Sequence, residues 1–131
     1  MFNIKSPSRE LYDQVFKESN DKGFLTVTAS GANNIDSYPF VKIHPPEDNT
    51  IRESVDQFQG DLSMRLEVFA LMSNYGSFEL IMFQLKLMLL SYDSLVSYQI
   101  ECQSCNEEVS EDTTTNDALY HGTIIAEYNV I

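Results

Sequence analysis

Basic residues are scarce in this chain of 131 residues: 8 Lys and Arg stand against 20 Asp and Glu, a formal net charge of −12 at pH 7. Tracking along nucleic acid or docking on an anionic membrane requires Lys and Arg to neutralise phosphate, so the balance argues against both. Long apolar runs are also missing. The most apolar stretch, SFELIMFQLKLMLL (Ser77 to Leu90), interrupts itself with Glu79, Gln84 and Lys86. As a helix it reaches about 21 Å, short of the roughly 30 Å of bilayer hydrocarbon. The opening MFNIKSPSRE contains no apolar segment of the kind a secretory signal needs. The expectation is a soluble protein made in the cytoplasm.

Cysteine is limited to Cys102 and Cys105, in ECQSCNE. Zinc would need two further ligands, for which His44 and His121 are the obvious candidates. A redox CxxC needs a positive environment to lower its thiol pKa. Here Glu101, Glu107 and Glu108 flank the pair and would raise it, so reduced structural thiols are expected. Catalytic signatures are lacking as well. There is no Gly-rich phosphate loop, no GxSxG and no HExxH. His121, in LYHGT, has no Ser, Cys or carboxylate at a recognisable spacing and reads as a packing residue in a strand. His44 reads as a strand-end residue ahead of two prolines. Glu107, Glu108, Glu111 and Asp112 lack the DxDxDG spacing of a calcium loop. Neither enzymatic activity, nor a cofactor, nor a metal is expected.

Core-forming residues are plentiful: 43% of the chain is hydrophobic and 11% aromatic, enough for one packed domain over residues 1–131. SPSRELYDQVFKESNDKG reads as a helix capped by Ser6 with Pro7 at its first position. Leu11 and Val15, joined by Tyr12 and Phe16, form its apolar stripe, and Asn20, Asp21 and Gly23 end it. Phe24–Ser30 and Tyr38–His44 read as strands, with Phe40 on one face of the second and Val41 and Ile43 on the other. Residues 45–60 read as a long, mobile polar connection. DLSMRLEVFALM alternates, with Leu62, Met64, Leu66 and Val68 on one side, until Phe69 and Leu71 suggest cover on both faces. Ser77 is a candidate cap for the apolar helix. The segment from Ser94 to Cys105 alternates as a half-buried strand with Val96, Tyr98, Ile100 and Cys102 inward. Residues 106–117 read as an acidic loop, and ALYHGTIIAEYNVI as a last strand paired inside the sheet. The order α-β-β-β-α-β-β predicts an α+β fold, a mainly antiparallel sheet of 4–5 strands with two helices packed on it.

The apolar helix is the least ordinary element. At about 100° per residue, Phe78, Ile81, Met82, Leu85, Met88 and Leu89 share one arc. Leu80, Phe83, Leu87 and Leu90 share a second, with Glu79 and Lys86 on one seam between the arcs and Gln84 on the other. One arc should cover the sheet. The second needs another partner, either the first helix or a second subunit, because leaving it in water is unfavourable at about 25 cal/mol per Å².

The layout as a whole resembles the tail-terminator, or tail-completion, proteins of long-tailed non-contractile bacteriophages, including the minor tail protein U type. The residues that carry the likeness are YPFV (Tyr38 to Val41) in an early strand and His121–Gly122 opening the last strand, YHGTIIAEYNV. CQSC has no counterpart in that pattern. The resemblance implies a virion protein that forms a ring of six subunits at the head-proximal end of the tail. The ring would stop polymerisation of the major tail tube protein and join it to the head–neck connector proteins, with DNA only passing through the lumen. Features of this sequence fit that ring independently: the second arc, Leu80, Phe83, Leu87 and Leu90, would suit a subunit interface. The 45–60 connection, through Glu47, Asp48, Arg52, Glu53 and Asp56, would suit a tube or neck contact that orders on docking. The alternatives are another phage neck protein, such as a head-closure or adaptor subunit, or a small ligand-binding α+β domain.

Overall fold

The computed structural model describes residues 4–31, 37–49, 51–54, 57–114 and 117–131, with backbone alone for 51–54 and 57–59. The first helix, α1 (Pro7–Asp21), starts where the sequence places its signals. The Ser6 hydroxyl accepts a hydrogen bond from the Arg9 N–H at 3.1 Å, and Pro7 sits where its missing N–H costs nothing. Its end is closed by Gly23 at φ +87°, a conformation open to residues without a Cβ. Leu11 and Val15 are fully buried, and Tyr12 and Phe16 pack beside them.

The strands are β1 (Thr26–Thr28), β2 (Phe40–Ile43), β3 (Glu47–Asp48), β4 (Ile51–Ser54), β5 (Gln57–Leu71), β6 (Ile100–Asp112) and β7 (Leu119–Val130), with α2 (Tyr75–Leu90) between β5 and β6. The main path across the sheet runs β1-β2-β5-β7-β6, with β3 and β4 both pairing with β5. Only β1 and β2 run parallel; every other pairing is antiparallel. The fold is therefore α+β, two helices against a mostly antiparallel sheet. β7 lies inside the sheet, between β5 and β6.

Strand β5 carries the core. Leu62, Met64, Leu66, Val68 and Ala70 are all fully buried, at the period of two that a sheet with one covered face demands. Ile124, Ala126 and Tyr128 of β7 and Val41 and Ile43 of β2 continue that face. The Tyr128 hydroxyl, buried among them, donates to the Leu89 carbonyl at 2.5 Å and ties the sheet to the end of α2. The sheet's other face holds Phe40, Phe69 and His121, stacked in a row with ring centroids 5.0 and 4.4 Å apart. That row is why the β5 alternation fades at Phe69.

Several boundaries differ from the sequence expectation. The connection 45–60 contains β3 and β4. Glu47 pairs with Ser63, Asp48 with Leu62 and Ile51 with Gln59, so this segment folds back on β5. Its ladder is held by backbone groups, and a polar strand leaves no apolar signature to read. The expected acidic loop 106–117 is, as far as Asp112, the second half of β6, paired with β7 from Asn106↔Ile125 to Asp112↔Leu119. Its carboxylates mark an edge strand, where charge discourages further pairing. Residues 94–99 form a turn closed by a Ser94–Gln99 bridge, which leaves Val96 90% exposed and not inward. The Ser97 N–H donates to the buried Glu10 carboxylate of α1 at 2.8 Å, fixing this turn to the helix. Helix α2 begins at Tyr75, with Ser77 inside its first turn and no side-chain cap at Asn74. The strand expected over Phe24–Ser30 is confined to Thr26–Thr28.

Helix α2 lies against β7 at Gly122. A Cβ there would meet Met82 Sδ, with Met82 Cε at 2.7 Å and Phe78 Cζ at 2.9 Å. The missing side chain is what lets the helix seat. Gly122→Ala is expected to destabilise the protein by about 1–3 kcal/mol through overpacking, read as a lower urea midpoint; an unchanged midpoint would contradict this close approach.

Candidate functional site

The surface of interest is the outer side of α2. Its inner arc packs on the sheet: Phe78, Ile81, Met82, Leu85, Met88 and Leu89 are all buried. At about 1.5–3 kcal/mol for each fully buried side chain of this size, that arc fixes the helix rotation. The second arc then faces away. Leu80 is 50% exposed, Phe83 54%, Leu87 51% and Leu90 47%. Helix α1 does not cover it, because α1 packs on β1, β3 and β5 while α2 packs on β5, β7 and β6. Of the two covers open to the sequence reading, the one within the chain is not used.

Beside this arc runs a groove of about 590 Å³ between α2 and β6. Phe83, Leu87 and Leu90 line its helix wall and Val109, 55% exposed, its strand wall. Lys86 and Glu107 bridge the groove at 3.7 Å. Glu107 reaches the helix side because β6 carries a register shift between Cys102 and Ser104. An extra residue flips the alternation, and the same bulge puts Cys102 and Cys105 on one face, against the core.

These cysteines are free thiols. Burial pushes the Cys105 thiol up to about 11, with Cys102 and Glu107 adding to the effect and Lys86 opposing it. Burial also raises Cys102, against a hydrogen bond to the Ser104 carbonyl. Thiols held protonated are poor nucleophiles and poor metal ligands.

The opposite face of the sheet holds a second cluster, which sequence spacing did not reveal. The Glu67 carboxylate, 9% exposed, sits between His121 Nε2 at 2.7 Å and His44 Nε2, with Lys42 Nζ at 3.6 Å. An ionised carboxylate only accepts, so both imidazoles donate through Nε2. Burial would raise the Glu67 pKa, but the His44 and His121 hydrogen bonds and the Lys42 charge outweigh it and hold it below 4.5. The four groups come from β2 and the residue just past it (Lys42, His44), β5 (Glu67) and β7 (His121), and the chain pairing brings them together: Lys42↔Glu67, Phe69↔His121 and the His44 N–H on the Arg65 carbonyl. Both rings aim at the carboxylate itself, so the cluster straps three strands together; among the described residues no group of His, Cys, Asp and Glu is arranged to hold a metal.

Of the residues assigned to a tube or neck contact, Glu47 and Asp48 are exposed on β3. Arg52 and Glu53 lie in β4, where only the backbone is described, and Asp56 lies outside the described residues. Glu47 lines a small polar hollow with Asn49, Asp61 and Glu127. No described helix is long and apolar enough to cross a membrane.

No family model and no curated protein matches the chain. A solved structure whose designation says nothing of its function is similar in fold, with a TM-score of 0.56. The superposition covers 95% of this chain and 89% of that one. At 14% identity this likeness shows the α+β architecture and no more.

The two clusters make separate predictions. Because the folded Glu67 pKa lies below 4.5, its stabilisation is present above that pH and is lost as pH falls through the lower folded value. The stability gap between wild type and Glu67→Gln, measured by urea melts, should therefore close as pH falls through the lowered Glu67 pKa. A gap that stays constant to pH 2 would contradict the strap. For the thiols, iodoacetamide should label the folded protein slowly at pH 8 and faster as pH approaches the Cys105 value of about 11. Denatured protein should label quickly at pH 8.

Proposed function

We propose that the chain is a tail terminator, a virion protein that caps the head-proximal end of a phage tail tube as a ring and offers the tube to the head connector. The observation that carries this reading is the exposed Leu80–Phe83–Leu87–Leu90 arc of α2. A contiguous apolar patch on a charged surface marks a protein contact, and a closed ring requires each subunit to give one patch and receive with another. The order of elements, one helix, early strands, a long central strand, the apolar helix and two closing strands, supports the same reading. So does the His121–Gly122 pair, whose members serve opposite faces of the sheet: His121 holds Glu67, and Gly122 admits α2. Glu47 and Asp48 on β3, together with Arg52, Glu53 and Asp56, are the proposed contact with tube or neck. The activity is binding and capping, without covalent chemistry. A net charge of −12 on every subunit suits an acidic collar through which DNA slides without adhering.

The test is negative-stain imaging of purified tail-tube protein assembling with and without this chain. Tubes should stop growing and carry a ring at one end when it is present. Phe83→Glu and Leu87→Glu should abolish the ring while leaving the melting temperature close to that of wild type, since both side chains are about half exposed. Tubes that lengthen without limit in the presence of the wild-type chain would overturn the reading.

A further inference from the structure

The geometry points to a two-fold dimer of the free protein, in which the outer seam of α2 pairs antiparallel with the same seam of a second copy. The spacing of the exposed residues carries the first part. Leu80, Phe83, Leu87 and Leu90 are separated by three, four and three positions. That repeat makes a straight seam along a helix, the arrangement that receives another helix lengthwise. The opposite side of α2, Phe78 and Leu85, is only 2% and 0% exposed, so the seam lies on the side of the helix away from its buried arc. The adjoining groove along Lys86, with Val109 as its far wall, gives room for a partner's side chains.

The second helix comes from another copy of α2. The other described helix, α1, turns Leu11 and Val15 inward and carries Arg9, Asp13, Lys17 and Asp21 in ion pairs outside. It has no apolar seam to offer. The charges then select the direction. Glu79 and Lys86 are seven residues apart and lie on one flank of the seam, while Ser77, Gln84 and Ser91 hold the other, uncharged flank. In an antiparallel pair the charged flank meets the charged flank in reversed order, so Glu79 of one copy faces Lys86 of the other, twice. In a parallel pair the charged flank would meet the uncharged one, and neither charge would gain a partner. Lys86 also reaches Glu107 of its own chain at 3.7 Å, and an ammonium with three donors serves both.

Such a contact is isologous and closes at two copies. It covers the arc that a ring would use, so the dimer has to open before a ring can form on that face. The inference concerns the free chain and stands apart from the tube-capping reading.

Sedimentation velocity of the full chain over a concentration series tests it without any tube protein. Wild type should show a monomer–dimer equilibrium. Lys86→Glu and, separately, Glu79→Lys should each weaken dimerisation by about tenfold, since each sets like charges against one another on both sides. The double variant Glu79→Lys/Lys86→Glu should recover the wild-type constant. Glu107→Gln should dimerise as wild type does, which separates the contact between copies from the Lys86–Glu107 pair within one chain. A chain that is monomeric at every concentration, a double variant no better than the singles, or a free assembly larger than two would each overturn the proposal. Circular dichroism melts confirm that the variants fold; Glu79 is exposed, so the Glu79→Lys arm tests the contact even where Lys86→Glu disturbs the groove.

Discussion

The seating of α2 on β7 is the contact on which the rest depends. A helix on a sheet buries one arc, and the rotation that buries it decides what the remaining arc presents to solvent. Here the inner arc lies over Gly122, where the tips of Met82 and Phe78 occupy the space a Cβ would take. Tyr128 then ties the far end of the helix through the Leu89 carbonyl. With the helix held at both places, Leu80, Phe83, Leu87 and Leu90 face outward because the packing of the inner arc sets the helix rotation. An exposed apolar seam is thus a consequence of good packing inside the domain.

The two faces of the sheet divide the physical work. The helix-covered face is apolar across β2, β5 and β7. The other face holds charge, but in a controlled form: one carboxylate, two imidazoles and an ammonium that satisfy one another across three strands, beside a stacked row of Phe40, Phe69 and His121. A carboxylate this buried is costly unless hydrogen-bonded, and Glu67 has those bonds. In a chain this acidic, the cluster gathers basic groups onto a face where nearby strands carry Glu and Asp. Adjacent residues on β7, His121 and Gly122, act on opposite faces because consecutive strand residues point opposite ways.

The cysteines illustrate how a local irregularity redirects a motif. Without the bulge before Ser104, Cys102 and Cys105 would point to opposite faces. With it, both turn toward the core, and Glu107 and Val109 turn toward α2. The same irregularity that buries the thiols and suppresses their reactivity therefore builds the strand wall of the groove.

Much of the fold was legible from local signals. Ser6–Pro7 marked a helix start, alternation from Leu62 to Val68 marked the central strand, and the wheel of Ser77–Leu90 separated two arcs that burial later distinguished residue by residue. These are short-range patterns, set by the 3.6 and 2.0 periods of the backbone, and the local order of residues carries them. The strands at Glu47–Asp48 and Ile51–Ser54 and the outer half of β6 were not legible, because edge pairing rests on backbone hydrogen bonds and leaves the side chains free to be polar. The Glu67 strap was not legible either: residues 42, 44, 67 and 121 meet only through strand register. The sequence by itself determined that α2 would have two apolar arcs and that this acidic chain would fold as α+β. Only the tertiary structure decided that α1 would pack elsewhere and leave the second arc open, because which elements become neighbours depends on contacts between residues far apart in the chain.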